Sequence, residues 1–184
     1  MNKPEKAFPE IGCCGIDCGL CPRHYTTGAS RCPGCGAPGF FEKHPACGVL
    51  SCCVAKHGGE VCADCGDYPC KRFDRAGHDS FVTHQRMAGN LIDIQSRGMD
   101  VFLAQQQQRI TALEYLLGDA DDGKSKSFYC LACTLLPMDE LEAAVDAVRG
   151  RSGLPRQELA HTIRQYLEAA AERSGIELRL HRDR

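Results

Sequence analysis

The chain has 184 residues, of which 43% are hydrophobic, 25% are charged and fourteen are cysteine, and its formal net charge is −2. That length and hydrophobic content suit one globular domain, or a small one joined to a larger one, and exclude a disordered chain. A charge so near neutrality gives no overall field for nucleic acid or anionic lipid. The basic spots (Lys71, Arg72 and Arg75; Arg149, Arg151 and Arg156; Arg179, Arg182 and Arg184) are short, interrupted and best read as solvated surface.

The opening MNKPEKAFPE holds no apolar run that would act as a secretory signal, so a cytoplasmic setting with reduced thiols is expected. No stretch approaches the roughly 18 to 20 apolar residues of a membrane span, so no membrane role is expected. From residue 12 to residue 75 the large apolar side chains are sparse and separated by Gly, Pro and Cys. Twelve of the fourteen cysteines fall between Cys13 and Cys70. A segment with so little to bury needs a metal. A structural zinc site is worth about 10 to 16 kcal/mol in apparent binding energy, against about 5 to 15 kcal/mol for the stability of a typical domain.

Four Cys-x-x-Cys pairs recur: Cys18/Cys21, Cys32/Cys35, Cys62/Cys65 and Cys130/Cys133. Two intervening residues let a tight turn aim both sulfurs at one tetrahedral ion. Cys13/Cys14 and Cys52/Cys53 are adjacent pairs, and in an extended backbone neighbours point to opposite faces, so one member of each is expected to ligate. Twelve thiols then remain: Cys14, Cys18, Cys21, Cys32, Cys35, Cys47, Cys52, Cys62, Cys65, Cys70, Cys130 and Cys133. They suffice for two or three zinc ions in four-cysteine sites, and spacing alone does not divide them. His24, His44 and His57 could each replace a thiolate, but a loop histidine more often faces solvent, so they are left outside the ligand set. Cys130 and Cys133, inside FYCLACTLLP, can equally be small core residues.

Zinc enclosed by four thiolates has no vacant position and holds structure rather than activating water. Neither His-Glu-x-x-His nor His-x-Glu with Pro-Cys-x-x-Cys occurs. An iron–sulfur cluster is the competing reading, because the thiols from Cys14 run C-x-x-x-C-x-x-C and those from Cys13 run C-x-x-x-x-C-x-x-C. Thioredoxin-like redox chemistry lacks the βαβ unit it requires.

Beyond about Asp79 the apolar period changes to 3.6, and residues 79–184 read as α-helical. The predicted stripes are Phe81, Ala88, Leu91 and Gln95, then Met99, Phe102, Leu103, Ile110, Leu113 and Leu117. A third holds Met138, Leu141, Val145 and Val148, and a fourth Leu159, Ile163, Tyr166, Leu167 and Ala170, with Pro155 near its start and Gly175 at its end. Gly118 to Ser125 matches the phosphate-loop pattern letter for letter. A helical pattern precedes it where a strand is required, and Asp119, Asp121 and Asp122 would repel phosphate, so it reads as an exposed turn. Ile176, Leu178 and Leu180 alternate with charge and allow a short terminal strand.

The expected fold is mainly α with little β: an irregular, metal-stabilised, Cys-rich N-terminal region packed on a C-terminal helical bundle, with Cys130 and Cys133 returning to the metal if the two form one unit. CCGIDCGLCP, CPGC, CVAKHGGEVCADCGDYPC and FYCLACTLLP resemble a prokaryotic cysteine-rich family, the domain of unknown function 3795. The resemblance is most specific at CGIDCGLCP and CADCGDYPC and looser over the helical part. It implies a small cytoplasmic protein that binds zinc through Cys14, Cys18, Cys21, Cys32, Cys35, Cys62, Cys65 and Cys70, with Cys13 and Cys53 as extras and no established activity. The function expected is a zinc-finger-like binding or adaptor module for an unidentified protein or small-molecule ligand. An enzyme with a cleft between the two regions, using a residue such as His78 or His84, is the remaining reading.

Overall fold

The computed structural model describes residues 5–73, 79–149, 151 and 153–181. His78, Arg75, Arg182 and Arg184 lie outside them. Among the described residues the protein is mainly helical with almost no strand, as the composition of its second half requires. Two compact units emerge, one from residues up to Ala104 with His181, the other from Gln105 to Leu180.

The first unit is built of short turns until its last helices. Its helices are α1 (Phe40–Lys43), α2 (Gly48–Leu50), which runs on into a π-helical segment Ser51–Lys56, α3 (Met87–Arg97) and the start of α4 (Met99–Ala120). Ile11, Val61, Leu91, Ile94 and Phe102 form one small core, and Cys13, Cys35, Phe40, Leu50 and Cys53 form another. Sulfur thus supplies three of the five buried side chains in the second cluster.

Two loop contacts with α3 locate the cysteines. Gly15 takes a left-handed φ of +87°, and a Cβ there would stand only 2.3 Å from the Met87 carbonyl oxygen, so only glycine lets the loop lie on the helix. Buried Asn90 then donates to the Gly15 carbonyl (2.9 Å) and the Asp17 carboxylate (2.8 Å). The predicted first stripe is corrected here. Phe81, Ala88 and Gln95 are exposed, and α3 buries Met87, Asn90, Leu91 and Ile94. The buried face includes a polar residue because the loop above it offers an acceptor carbonyl and carboxylate.

The second unit follows the helical period more closely. It holds the rest of α4 with α5 (Lys126–Leu135), α6 (Met138–Val148) and α7 (Arg156–Arg173). Leu141, Val145 and Val148 on α6 and Leu159, Ile163, Leu167 and Ala170 on α7 are buried as predicted, while Tyr166 is 37% exposed. On its part of α4, Leu113 is buried as predicted, whereas Leu116 is buried in place of Leu117, which is half-buried. Pro137 and Pro155 precede α6 and α7, where a missing N–H costs nothing. Gly175, at φ +65°, closes α7 as the Gly175 N–H bonds to Glu172 and the Ile176 N–H to Ala171.

The phosphate-loop look-alike is an exposed turn between α4 and α5. Its own carboxylates consume the amides a phosphate would need: Asp121 accepts from Gly123, and Asp122 from Lys124 and Ser125. Residues 176–180 form no strand; no partner strand is present among the described residues, and a lone strand leaves its amides unpaired.

Candidate metal centre

Two of the Cys-x-x-Cys pairs are built alike. Cys18–Leu20 and Cys62–Asp64 are single 3₁₀ turns, closed by Cys21 N–H to the Cys18 carbonyl (3.2 Å) and Cys65 N–H to the Cys62 carbonyl (3.1 Å). In a three-residue turn, side chains at i and i+3 eclipse, which sets each pair of sulfurs on one side. The second turn is fixed by Asp64, whose carboxylate accepts the Glu60 and Val61 amides. The loops are joined directly, Cys62 N–H to the Cys13 carbonyl at 2.7 Å, and Cys35 N–H reaches the Pro9 carbonyl at 2.8 Å.

These joins bring five thiols into an unbroken run: Cys18, Cys35, Cys13, Cys53 and Cys62, each in hydrogen-bonding reach of the next. Cys13, Cys18 and Cys62 act as donors, and their bonds to neighbouring sulfur together with burial push them above the usual thiol range. Cys35, flanked by Cys13 and Cys18, is held below the usual range by those two contacts, while the Cys53 thiol, flanked by Cys13 and Cys62, donates to the Gly59 carbonyl at 3.3 Å. Buried Lys6 adds a positive field at Cys13, Cys35 and Cys53, and its Nζ donates to the Ile11 carbonyl at 2.6 Å. Cys14 is pushed up to about 11 by burial and feels Cys35 and Cys47. Cys21 is raised by burial and lies in the field of Cys32.

Beside this run is a small cavity of about 30 Å³, room for a single ion or water. Cys52, Cys53, Cys62, Cys65 and Cys70 line it with His57. The π-helical backbone explains why both Cys52 and Cys53 reach it. The expectation that adjacent cysteines diverge holds for extended chain, whereas neighbours in a helical turn can face one cavity. His57, four residues after Cys53, places Nδ1 3.7 Å from the Cys65 sulfur, and with Asp67 these ligand atoms lie within 4.8 Å of one another.

Cys14 lies in the field of Cys35 and Cys47, Cys18 in that of Cys35, Cys14 and Cys21, and Cys62 in that of Cys53, Cys14 and Cys70, while Cys52, Cys62, Cys65 and Cys70 share the cavity. Cys21 and Cys32 form a satellite. Cys13 and Cys53, set aside in the sequence, sit within the run of thiols. Cys130 and Cys133 lie on α5 in the core of the second unit; burial pushes Cys133 up to about 12, and its charged neighbour is Arg109. His44 stacks on Phe40, and His24 Nδ1 meets the Cys32 carbonyl, so both serve packing. The sequence passed over His57, Asp67 and Lys6; the i, i+4 spacing of Cys53 and His57 was its one available signal.

Clustered soft donors around an ion-sized cavity are compatible with a metal that takes sulfur. No helix among the described residues is long and apolar enough to cross a membrane. No family model, curated protein or solved structure matches the chain.

Proposed function

We propose that the protein is a zinc-binding module of a reducing cytoplasm, whose first unit is held in shape by two ions in cysteine sites. The single observation that carries this is the lining of an ion-sized cavity by five thiols, next to a run of thiols within reach of one another. Zinc replaces the thiol protons with coordinate bonds, and four sulfurs close its tetrahedron, so the ions serve structure. One site draws on Cys14, Cys18, Cys35 and Cys47, the other on Cys52 or Cys53 with Cys62, Cys65 and Cys70. A third ion would need Cys130 and Cys133, which the second unit's core already employs.

The resemblance to the domain of unknown function 3795 agrees with this reading and adds no activity to it. The protein acts as a binding or adaptor module for a protein or small molecule.

Elemental analysis of native protein purified without chelator tests the proposal. About two zinc per chain is the expected result, and less than one metal per chain overturns it. Iron with a brown visible absorption would assign the thiols to an iron–sulfur cluster instead.

A further inference from the structure

An open groove of about 640 Å³ lies beside the thiol cavity, in the size range of small-molecule sites. Its walls are of two kinds. Ile16, Val49 and buried Met87 offer an apolar face, while Lys71, Arg72 and His84 bring basic side chains to the same space, and no carboxylate is among the described lining residues. That is a local inversion in a chain with 24 acidic and 22 basic side chains. The Asp79 carboxylate does meet His84, but on its backbone N–H, and it also accepts from Thr83, Gln85 and His181.

We propose that this groove binds a small molecule carrying a doubly charged oxyanion, a phosphate monoester or a dicarboxylate, on an apolar body. The guanidinium of Arg72 presents a planar fork of donors suited to two oxygens of one anion, and Lys71 adds a mobile point charge. Gly48 sets the Arg72 guanidinium over the wall: a Cβ at that position would stand 3.4 Å from its nitrogen, an ordinary contact. Arg72 and Val49 line the thiol cavity as well as the groove, so an occupant is felt at the metal neighbourhood. This identifies the ligand class of the binding module proposed above and rests on that reading for its biological sense, not for its geometry.

The test titrates full-length, metal-loaded protein with phenyl phosphate, phthalate and neutral benzyl alcohol by calorimetry, counting metal in the same samples. Expected is saturable binding of phenyl phosphate or phthalate but not of benzyl alcohol, the tighter of the two anions naming the headgroup. Arg72→Gln weakens it at least about tenfold. Lys71→Glu, at an exposed position outside the thiol cavity, weakens it with metal per chain unchanged. Absence of saturable anion binding, equal binding of the alcohol, or indifference to both substitutions overturns the inference. Loss of the metal count alone overturns the zinc reading and leaves the groove to its own titration.

Discussion

The two units solve the same problem with different materials. The second buries a continuous apolar set, including Leu113, Leu116, Leu136, Leu141, Ile163 and Leu167, each 1% exposed or less, along helices whose ends are capped by proline, glycine and an arginine. Arg109 is that arginine: its guanidinium takes the carbonyls of Cys133 and Leu136 at the end of α5, at 2.7 and 2.8 Å. The first unit has more chain, residues 1–104 with 181–184 against 105–180, yet one of its two small cores is mostly sulfur. It uses glycine to let loops touch a helix and single buried polar groups such as Asn90 to fix them. A sulfur core is soft and can trade its protons for an ion; a leucine core cannot, so dependence on metal should be confined to one unit.

The sharpest way to break that comparison is to strip the metal. With a strong chelator the first unit should lose a stabilisation of about 10 kcal/mol or more, and hydrogen exchange at the Cys35 and Cys62 amides should become unprotected. The amides of α6 and α7 should keep their protection. Equal protection in both units before and after chelation would mean that the thiols are a packed core in their own right. The reciprocal perturbation is Leu167→Ala, which removes a fully buried side chain from α7. It should cost about 2 to 5 kcal/mol in denaturant unfolding and leave metal per chain unchanged.

The same contrast decides what could be read from the sequence. Period 3.6 found α6 and α7 almost residue by residue, because each buries one apolar stripe and nothing competes with it. It misplaced the face of α3, since Asn90 is buried by a loop 75 residues earlier and no local pattern announces that. The spacing of the four cysteine pairs pointed to tight turns, which Cys18/Cys21 and Cys62/Cys65 adopt as 3₁₀ turns and Cys130/Cys133, on an α-helix, does not. Cys13 and Cys53 were passed over because their adjacency to Cys14 and Cys52 was judged by the geometry of an extended chain, whereas one adjacent pair lies in a turn and the other in a π-helix. The groove was out of reach: Ile16, Val49, Lys71 and His84 are far apart in the chain and become neighbours only once the loops close.

A smaller effect is expected at Asp79, which ties the loop before α3 to His181. Burial favours the neutral acid, but the His84 and His181 amides with Gln85 and Thr83 outweigh it, and its carboxyl sits below the ordinary value. A carboxyl depressed on folding contributes stability that is fully present above its unfolded value, near 3.9, and is lost as pH falls through the lower folded value. Between neutrality and pH 5 the His181 amide should therefore exchange slowly, and it should open only once the pH has fallen below the ordinary carboxyl range and through the lower folded value. Asp79→Ala should open it at all pH values at a cost of about 1 to 3 kcal/mol. A pH-independent His181 amide would show that the tie carries no load.

The smallest effect tests where the metal-dependent part ends. Cys133 is fully buried on α5 among Leu131, Ala132, Leu135 and Leu136, with Arg109 bonded to its carbonyl, and its thiol is held neutral by burial. If it acts as a small apolar side chain, Cys133→Ala removes one sulfur and should cost about 1 kcal/mol, with metal per chain and first-unit exchange unaltered. If instead it ligates, the same substitution removes a thiolate from a closed tetrahedron, and the metal count should fall by up to one ion. The Cys130/Cys133 pair repeats the spacing of the 3₁₀ turns at Cys18 and Cys62 but sits on an α-helix, where i and i+3 share a face without the eclipsing of a 3₁₀ turn. One spacing on two backbones gives two chemistries, and the metal count of this variant separates them.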